Sequence, residues 1–423
     1  MTCWPRGRAA LLVCALAVLG SAQQATAQSV EADSEEPPFR LDKNGRPTLT
    51  FPFGEVQLRG RLASTLQSPA FDRGNSTPES VWQTRRLQVE GTLFKRLEFE
   101  VSREFGDAVE PERDVFVNLR LNRKFEVRAG QFKMPFSRDA LTGGANLDFV
   151  LRSLAGRLLA PGRDLGVMAH GRLAGRTFTY QAGVFRGDGD NARTSQTRGG
   201  SRAVAGRLVV APFAAASNRA LAALQIGGAM VGSGLDNQLG LRGRTVLDQG
   251  VFFDRVFVDG RRLRRGLEAA WAHGPVSLTW ERMTVTDERL GMGTDGGALT
   301  DIRATGWYLA GTWTVTGERK DGRVEPRNSL FDGGSGALEL TARVERLAFG
   351  APADASAPAD PLAIIPGANA DRVTTVGLAW YMNRFLKINA NAVFESVHDP
   401  ERSPAPEDNG RFPTAIVQFQ FAL

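Results

Sequence analysis

"VFVNLRLNRKFEVRAGQF", residues Val115 to Phe132, decides how the chain folds. Val115, Val117, Leu119 and Leu121 alternate with Phe116, Asn118 and Arg120. After "NRK" the alternation resumes, with Phe125, Val127 and Ala129 set against Glu126, Arg128 and Gly130. A period of two sends successive side chains to opposite faces of a strand, so each strand has one apolar and one polar face. A connection as short as Asn122 to Lys124 joins only antiparallel neighbours. The stretch therefore reads as a hairpin.

The same period spreads in both directions. "VQLRGRL" puts Val56, Leu58, Gly60 and Leu62 on one side, and "RLQVEGTLF" sets Leu87, Val89, Gly91 and Leu93 against Arg86, Gln88, Glu90 and Thr92. "LEFEVSREF", "GALELTARVERL" and the final "AIVQFQFAL" alternate in the same way. Short connections such as Ala272 to Pro275 contrast with long polar ones, Arg186 to Arg202 and Gly350 to Ala370. Amphipathic helices do not intervene between strands, which excludes an α/β architecture. Strands of roughly 8–11 residues exceed the usual length in soluble sheets. Unbroken rows of Glu, Arg and Gln require water on the inner face. Together these features predict an all-β fold, a closed antiparallel transmembrane β-barrel of about 16 strands. Phe94, Phe105, Phe132, Phe185, Trp307, Trp313, Trp380 and Tyr381 fall toward strand ends, where interfacial girdles are expected.

Arg6 and Arg8 precede the apolar run Ala9 to Leu19, and Ala25 and Ala27 frame an A-x-A site. Residues 1–27 thus read as a cleaved secretory signal. Both cysteines, Cys3 and Cys14, lie within it, so disulfides do not hold the remainder together. Residues 28–55 include the acidic, proline-bearing "EADSEEPPFR" and read as a flexible periplasmic lead-in. Residues 56–423 form the barrel domain. Mean hydropathy of −0.22 fits a soluble protein as well as a barrel whose alternate residues meet lipid, so composition does not choose.

The chain carries 52 Lys and Arg against 46 Asp and Glu, and nearly all the cations are arginine. Arginine recognises oxyanions through a fixed fork of donors. Genomic base composition explains an Arg-rich chain equally well, so position must decide.

"RRLQVEG", "VRAGQFKMPFS", "LAPGRDLGVMAHG", "YQAGVFRGDG", "GWYLAGTWTVTGE" and "GALELTARVERL", six phrases in order, resemble the phosphate-selective porin O/P family. The resemblance implies a 16-stranded outer-membrane barrel, a homotrimer, passing small anions such as phosphate by passive diffusion. It also implies that the third outer loop folds into the lumen, which makes the segment after Gln131 the candidate constriction; the alternative is an extracellular loop packed over the rim. The loop's residues agree with that placement. Asn146 is expected to cap a helix in which Leu147, Val150, Leu151 and Leu154 share one face. Asp148 and Arg152 would pair on the other face, and an apolar stripe on a loop needs a wall to pack against.

Anion preference then follows if arginines line the passage. The candidate lining comprises Arg85, Arg86, Arg120 and Arg128 on strands, Lys133 at the mouth, and Arg138, Arg152, Arg157 and Arg163 in the loop. Arg85 and Arg86 match the family's arginine pair, and Lys133 its basic residue after "GQF". Gln88 departs from the pattern, since phosphate-specific members carry an aromatic hydroxyl there. Glu98, Glu100 and Ser102 stand where a lysine would strengthen a phosphate site. These departures favour a general or weakly anion-selective channel over tight phosphate capture.

Catalytic residues, metal ligands and cofactors are not expected. His170, His273 and His398 lack ligand spacing, and G-x-S-x-G, dinucleotide and P-loop signatures are missing. "GDGDN" at Gly187 to Asn191 lacks the Gly and Glu of a calcium loop and reads as a polar tip. A compact basic stripe for nucleic acid is also missing. The alternatives are a non-selective porin, a plugged structural or adhesive barrel and, least favoured, a barrel hydrolase.

Overall fold

Each long alternating segment pairs with the segment next to it in sequence. The computed structural model describes residues 38–42, 45–68, 79–108, 111–189, 202–247, 250–293, 296–320, 322–350, 369–398 and 411–423. The first eight barrel strands are β1 (Gly54–Gln67), β2 (Glu79–Leu93), β3 (Leu97–Glu104), β4 (Glu112–Asn122), β5 (Phe125–Lys133), β6 (Arg163–Leu173), β7 (Phe178–Phe185) and β8 (Ala203–Val210). The second eight are β9 (Gln225–Leu239), β10 (Phe257–His273), β11 (Val276–Arg289), β12 (Leu299–Thr314), β13 (Ala337–Gly350), β14 (Asn369–Tyr381), β15 (Leu386–His398) and β16 (Arg411–Ala422). Neighbours in this series pair antiparallel, and β16 returns to β1 from Ile416 opposite Gln67 to Ala422 opposite Arg61. The sheet is thus a closed barrel of 16 strands. Closure pairs every edge, as a hydrocarbon surround demands.

The boundary of the barrel unit differs from expectation. Phe39–Leu41 and Pro47–Phe51, placed in the lead-in, form a hairpin. Its second strand pairs with β1 from Gln57 to Gly54, just below the point where β16 runs out. Without it, that edge of β1 would carry bare amides. The signal segment lies outside the described residues.

The outer face is apolar, with Leu58, Leu62, Val117, Val167, Val184, Leu267, Leu309 and Val376 exposed. Phe94 and Trp313 are exposed at strand ends as expected of a girdle. Phe132, Phe185 and Tyr381 are not girdle residues: their strand phase turns them inward, where they are 1–2% exposed. A second departure is electrostatic. Arg265 and Arg282, at the middle of β10 and β11, and Arg346 and Arg372, in the extracellular halves of β13 and β14, point outward with Leu267, Val344 and Val376. A lipid-facing arginine costs about 2–4 kcal/mol at the bilayer midplane and about 0–1 near the interface.

Long connections mark the extracellular rim. The β5–β6 connection, residues 134–162, turns into the barrel and packs there. Met134, Phe136, Leu154, Leu159 and Ala160 are at most 2% exposed, against inward Met283, Val285, Ile302, Leu347 and Phe349. A second inward loop was not foreseen: the β9–β10 connection carries a short hairpin, Gly243–Arg244 with Val251–Phe253. Phe253 stacks on Phe349 at 4.7 Å. The tip "GDGDN" is not simply a polar tip, because Asp188 folds inward and bonds the buried Arg262 and Arg264. Burial alone would raise its pKa, but those two guanidiniums hold it well below the usual carboxylate range. The remainder of that loop and the connection before β14 lie outside the described residues. At the periplasmic end, the β12–β13 connection breaks the rule of short turns and sends Lys320 inward.

The inward loop fits because two inward positions on the wall lack side chains. A methyl added at Gly306 on β12 would sit 2.7 Å from the Cβ of Ala155, and one at Gly266 on β10 would meet the Phe136 ring at 3.3 Å. Gly306→Ala is expected to lower stability by about 1–3 kcal/mol through overpacking. Ala155→Gly should restore most of the loss, as read by thermal unfolding in detergent. A double variant no better than Gly306→Ala would show that the loop does not press on β12.

Candidate functional site

Two short helices shape the inward loop: α1 (Arg138–Leu141) and α2 (Leu154–Leu158). Ser137 caps α1, its Oγ accepting from Ala140 N, and Ser153 caps α2, accepting from Gly156 N. Asn146 is not the cap that was expected, since it closes a single 3₁₀ turn, Gly144–Asn146. Residues 147–153 are not helical, so the Asp148–Arg152 pair does not form. Lys320 takes Asp148 instead, at 2.5 Å, and also holds Glu339 at 2.7 Å. Burial disfavours the Lys320 charge, but those two carboxylates outweigh it and raise its pKa.

The wall from β11 to β15 grips the loop by its backbone. Glu281 accepts from Ser137 Oγ at 2.8 Å, from the amides of Arg138 and Asp139 at 3.1 and 2.6 Å, and from Tyr308 Oη at 2.7 Å. Glu345 accepts from Leu154 N at 2.6 Å, and Asn391 Oδ1 from Val150 N at 2.8 Å. Lys387 Nζ donates to Leu147 O, Asn389 Nδ2 to Asp148 O, and Arg343 Nη1 to Leu151 O. Glu395 does the same for the second loop, accepting from Val246 N. Carboxylates there satisfy helix-start amides, where negative charge is favoured.

The opposite wall carries cations. Between the loop and β1–β5 lies a cavity of about 790 Å³, lined by nine basic residues, Arg59, Arg61, Arg86, Arg113, Arg128, Lys133, Arg152, Arg157 and Arg163, and two acidic ones, Glu100 and Asp114. Five of the arginines have carboxylate partners: Arg59 with Glu90, Arg86 with Glu104, Arg113 with Asp107, Arg163 with Asp114 and, at 3.9 Å, Arg152 with Asp139. Arg128 lies 4.2 Å over the Phe116 ring. Lys133 Nζ and the Arg152 guanidinium turn to carbonyls at the end of α1, both reaching Thr142 O. Burial lowers the Arg152 pKa; Asp139 opposes that and Arg163 adds to it.

Six of the nine sequence candidates, Arg86, Arg128, Lys133, Arg152, Arg157 and Arg163, meet in this cavity. Three do not. Arg85 lies on the exposed outer face, its carbonyl accepting from Phe105 N at the rim. Arg120 is near the periplasmic end, paired with Glu98. Arg138 crosses to Gln225 Oε1, 2.9 Å away. Arg59, Arg61 and Arg113 were missed. The first two occupy the face of "VQLRGRL" opposite Val56 and Leu58, a signal already present in the alternation. Arg113 is turned inward by a register shift between Val101 and Arg103, which alternation does not reveal.

A closed 16-stranded barrel with an inward loop after β5 now stands beside the known proteins. A model of the family described as "Phosphate-selective porin O and P" matches residues 56–423. The chain belongs to that family. This porin is an outer-membrane channel, not an enzyme. It is 27% identical over 159 residues to Porin O of Pseudomonas aeruginosa, a match covering 36% of this chain and 34% of that one, so it spans about a third of the relative's length. Its fold is similar to that of an anion-selective porin from Comamonas acidovorans (15% identity, TM-score 0.54, 88% and 100% of the two chains). It is also similar to the channel DcaP of Acinetobacter baumannii (10%, 0.56, 88% and 99%). A third similar fold is the trimer form of OmpT of Vibrio cholerae (11%, 0.53, 88% and 100%).

Glu281 is the anchor of α1. Glu281→Ala should destabilise the porin by about 2–4 kcal/mol, since several buried donors lose a charged acceptor. Single-channel records should also become noisier as the loop loosens. An unchanged melting temperature with quiet current would remove Glu281 from that role.

Proposed function

We propose that this porin is a passive outer-membrane pathway preferring small anions, with phosphate and other oxyanions among them, and that it works as a homotrimer. The observation that carries this reading is the unequal division of charge in the lumen. Nine cations and two carboxylates line the cavity beside the inward loop. Glu281, Glu345 and Glu395 on the far wall are engaged with loop amides. Arg61, Arg128 and Lys133 form no ion pair among the described residues; Arg61 and Arg128 line the cavity with their charge uncompensated, while the Lys133 ammonium is held by the carbonyls at the end of α1. Fixed positive charge in a narrow, low-dielectric channel raises the local concentration of anions.

Selectivity is broad in this reading. Gln88 Nε2 is held by Glu90 at 2.8 Å, and Glu100 stands among the cations. Arg59, Arg86, Arg113 and Arg163 already have carboxylates, so an entering phosphate competes with them rather than filling an empty cradle. A trimer is supported by the family and by the trimer form of the Vibrio cholerae relative in fold. Export through cleavage after Ala27 completes the proposal.

Reversal potentials in planar bilayers under a KCl gradient test it. Cl⁻ should permeate in preference to K⁺. Arg61→Ala and Arg128→Ala should each lower that ratio roughly two- to fivefold, the effect of one charge worth about 0.5–1 kcal/mol near an aqueous path. Arg85→Ala, on the outer face, should leave it unchanged. Absent conductance, or a ratio indifferent to Arg61 and Arg128, would overturn the proposal.

A further inference from the structure

The outward arginines of β10 to β14 remain unexplained by any passage through the lumen. Two hydrogen-bonded rows bring them together. One row runs Gly206, Met230, Arg265, Thr284 across β8 to β11. The other runs Leu208, Gly228, Leu267, Arg282, Trp307, Arg346, Arg372 across β8 to β14. Gly206 and Gly228 leave the wall without side chains there. A furrow of about 700 Å³ results, floored by Leu208, Met230 and Leu267 and flanked by Arg265 and Arg282. Neither arginine makes an ion pair or hydrogen bond among the described residues, and the Nε of Arg346 is buried without a partner.

We infer that this face is a binding site for a phosphorylated glycolipid of the outer leaflet. One acyl chain lies in the furrow, the headgroup phosphates engage Arg346 and Arg372 in the extracellular halves of their strands, and Arg265 and Arg282, which flank the furrow nearer mid-strand, extend up the wall toward the same phosphates. An apolar furrow ending at cations has the two chemistries of such a lipid. Arginine stems extend along apolar surface while the guanidinium reaches the headgroup plane, and the guanidinium fork matches a phosphate. A second copy of the chain fits less well. The described outward positions from β1 to β9 are mostly apolar (Leu, Val, Ile, Met, Phe, Ala and Gly), and their exposed carboxylates, Glu112 and Asp236, stand near strand ends rather than in a row that would meet these arginines.

Native mass spectrometry of the detergent-solubilised protein tests the site. The probes are a bisphosphorylated, hexa-acylated diglucosamine lipid and its dephosphorylated counterpart. The phosphorylated probe should bind at least about tenfold more tightly. Arg265→Gln/Arg282→Gln should remove most of that preference while leaving heat-resistant migration and the Cl⁻/K⁺ ratio unchanged. Arg346→Gln/Arg372→Gln provides a second variant if the first fails to fold. Equal binding of both lipids, or full binding by the folded variants, would overturn the inference. So would an Arg282→Cys chain that forms a disulfide-linked pair in membranes, because that face would then belong to a contact between copies.

Discussion

The lumen is organised by the hydrogen bonds between far-wall carboxylates and the amides of the inward loop. A loop brought into a barrel carries peptide groups away from bulk water, and each buried amide needs an acceptor. Glu281 serves two amides, a serine and a tyrosine at once; Glu345 serves the start of α2. An acceptor bearing full charge forms stronger bonds than a neutral one. The loop is thereby fixed without its own arginines having to hold it, although Arg152 does brace α1. Lys320 secures Asp148 from the periplasmic end, so the loop is held from below as well as from the side.

Charge separation is a consequence of that grip. Acid rows on β11, β13 and β15 and basic rows on β1 to β5 would neutralise each other if both faced open water. Packing the loop against the acid side covers it. Inward Met283, Val285, Ile302, Leu347 and Phe349 exclude water from the same side. The remaining aqueous space is bounded chiefly by cations. Acids counted along the strands therefore overstate how neutral the passage is, because Glu281, Glu345 and Glu395 are occupied by loop amides.

Fold and site were legible to different depths. The barrel could be read because a period of two is local: each strand declares its own faces. Inward arginines on regular strands, such as Arg86 and Arg128, followed from the same signal, and Arg59 and Arg61 carried it too. Arg113 did not, since a register shift reversed its phase. The α2 boundary was missed because an apolar stripe from Leu147 to Leu154 fits a helix and equally fits an extended segment pressed on a wall. The second inward loop and Lys320 were beyond local reading, as their roles depend on which strands meet across the barrel. Nor could alternation reveal that Glu281 faces a backbone and Glu100 faces the passage.

Strand β10 shows why composition left the meaning of arginine open. "DGRRLRRG", Asp259 to Gly266, places two arginine pairs on a strand whose period is two, so each pair sends one side chain each way. Arg262 and Arg264 turn inward, are 0% exposed and hold Asp188, with Asp287 completing the cluster. Arg261 and Arg265 turn outward, the first to Glu288, the second to the lipid side of the wall. Three tasks are thus served by one residue type: clamping a loop, pairing at the rim and facing the membrane. None of these arginines lines the cavity, although they are the densest basic cluster in the chain. An excess of arginine does not by itself make an anion channel. In the proposed reading, what counts is which arginines line the cavity once the acids of the far wall have been covered, and on the strands those are chiefly the ones of β1 to β5 opposite the loop.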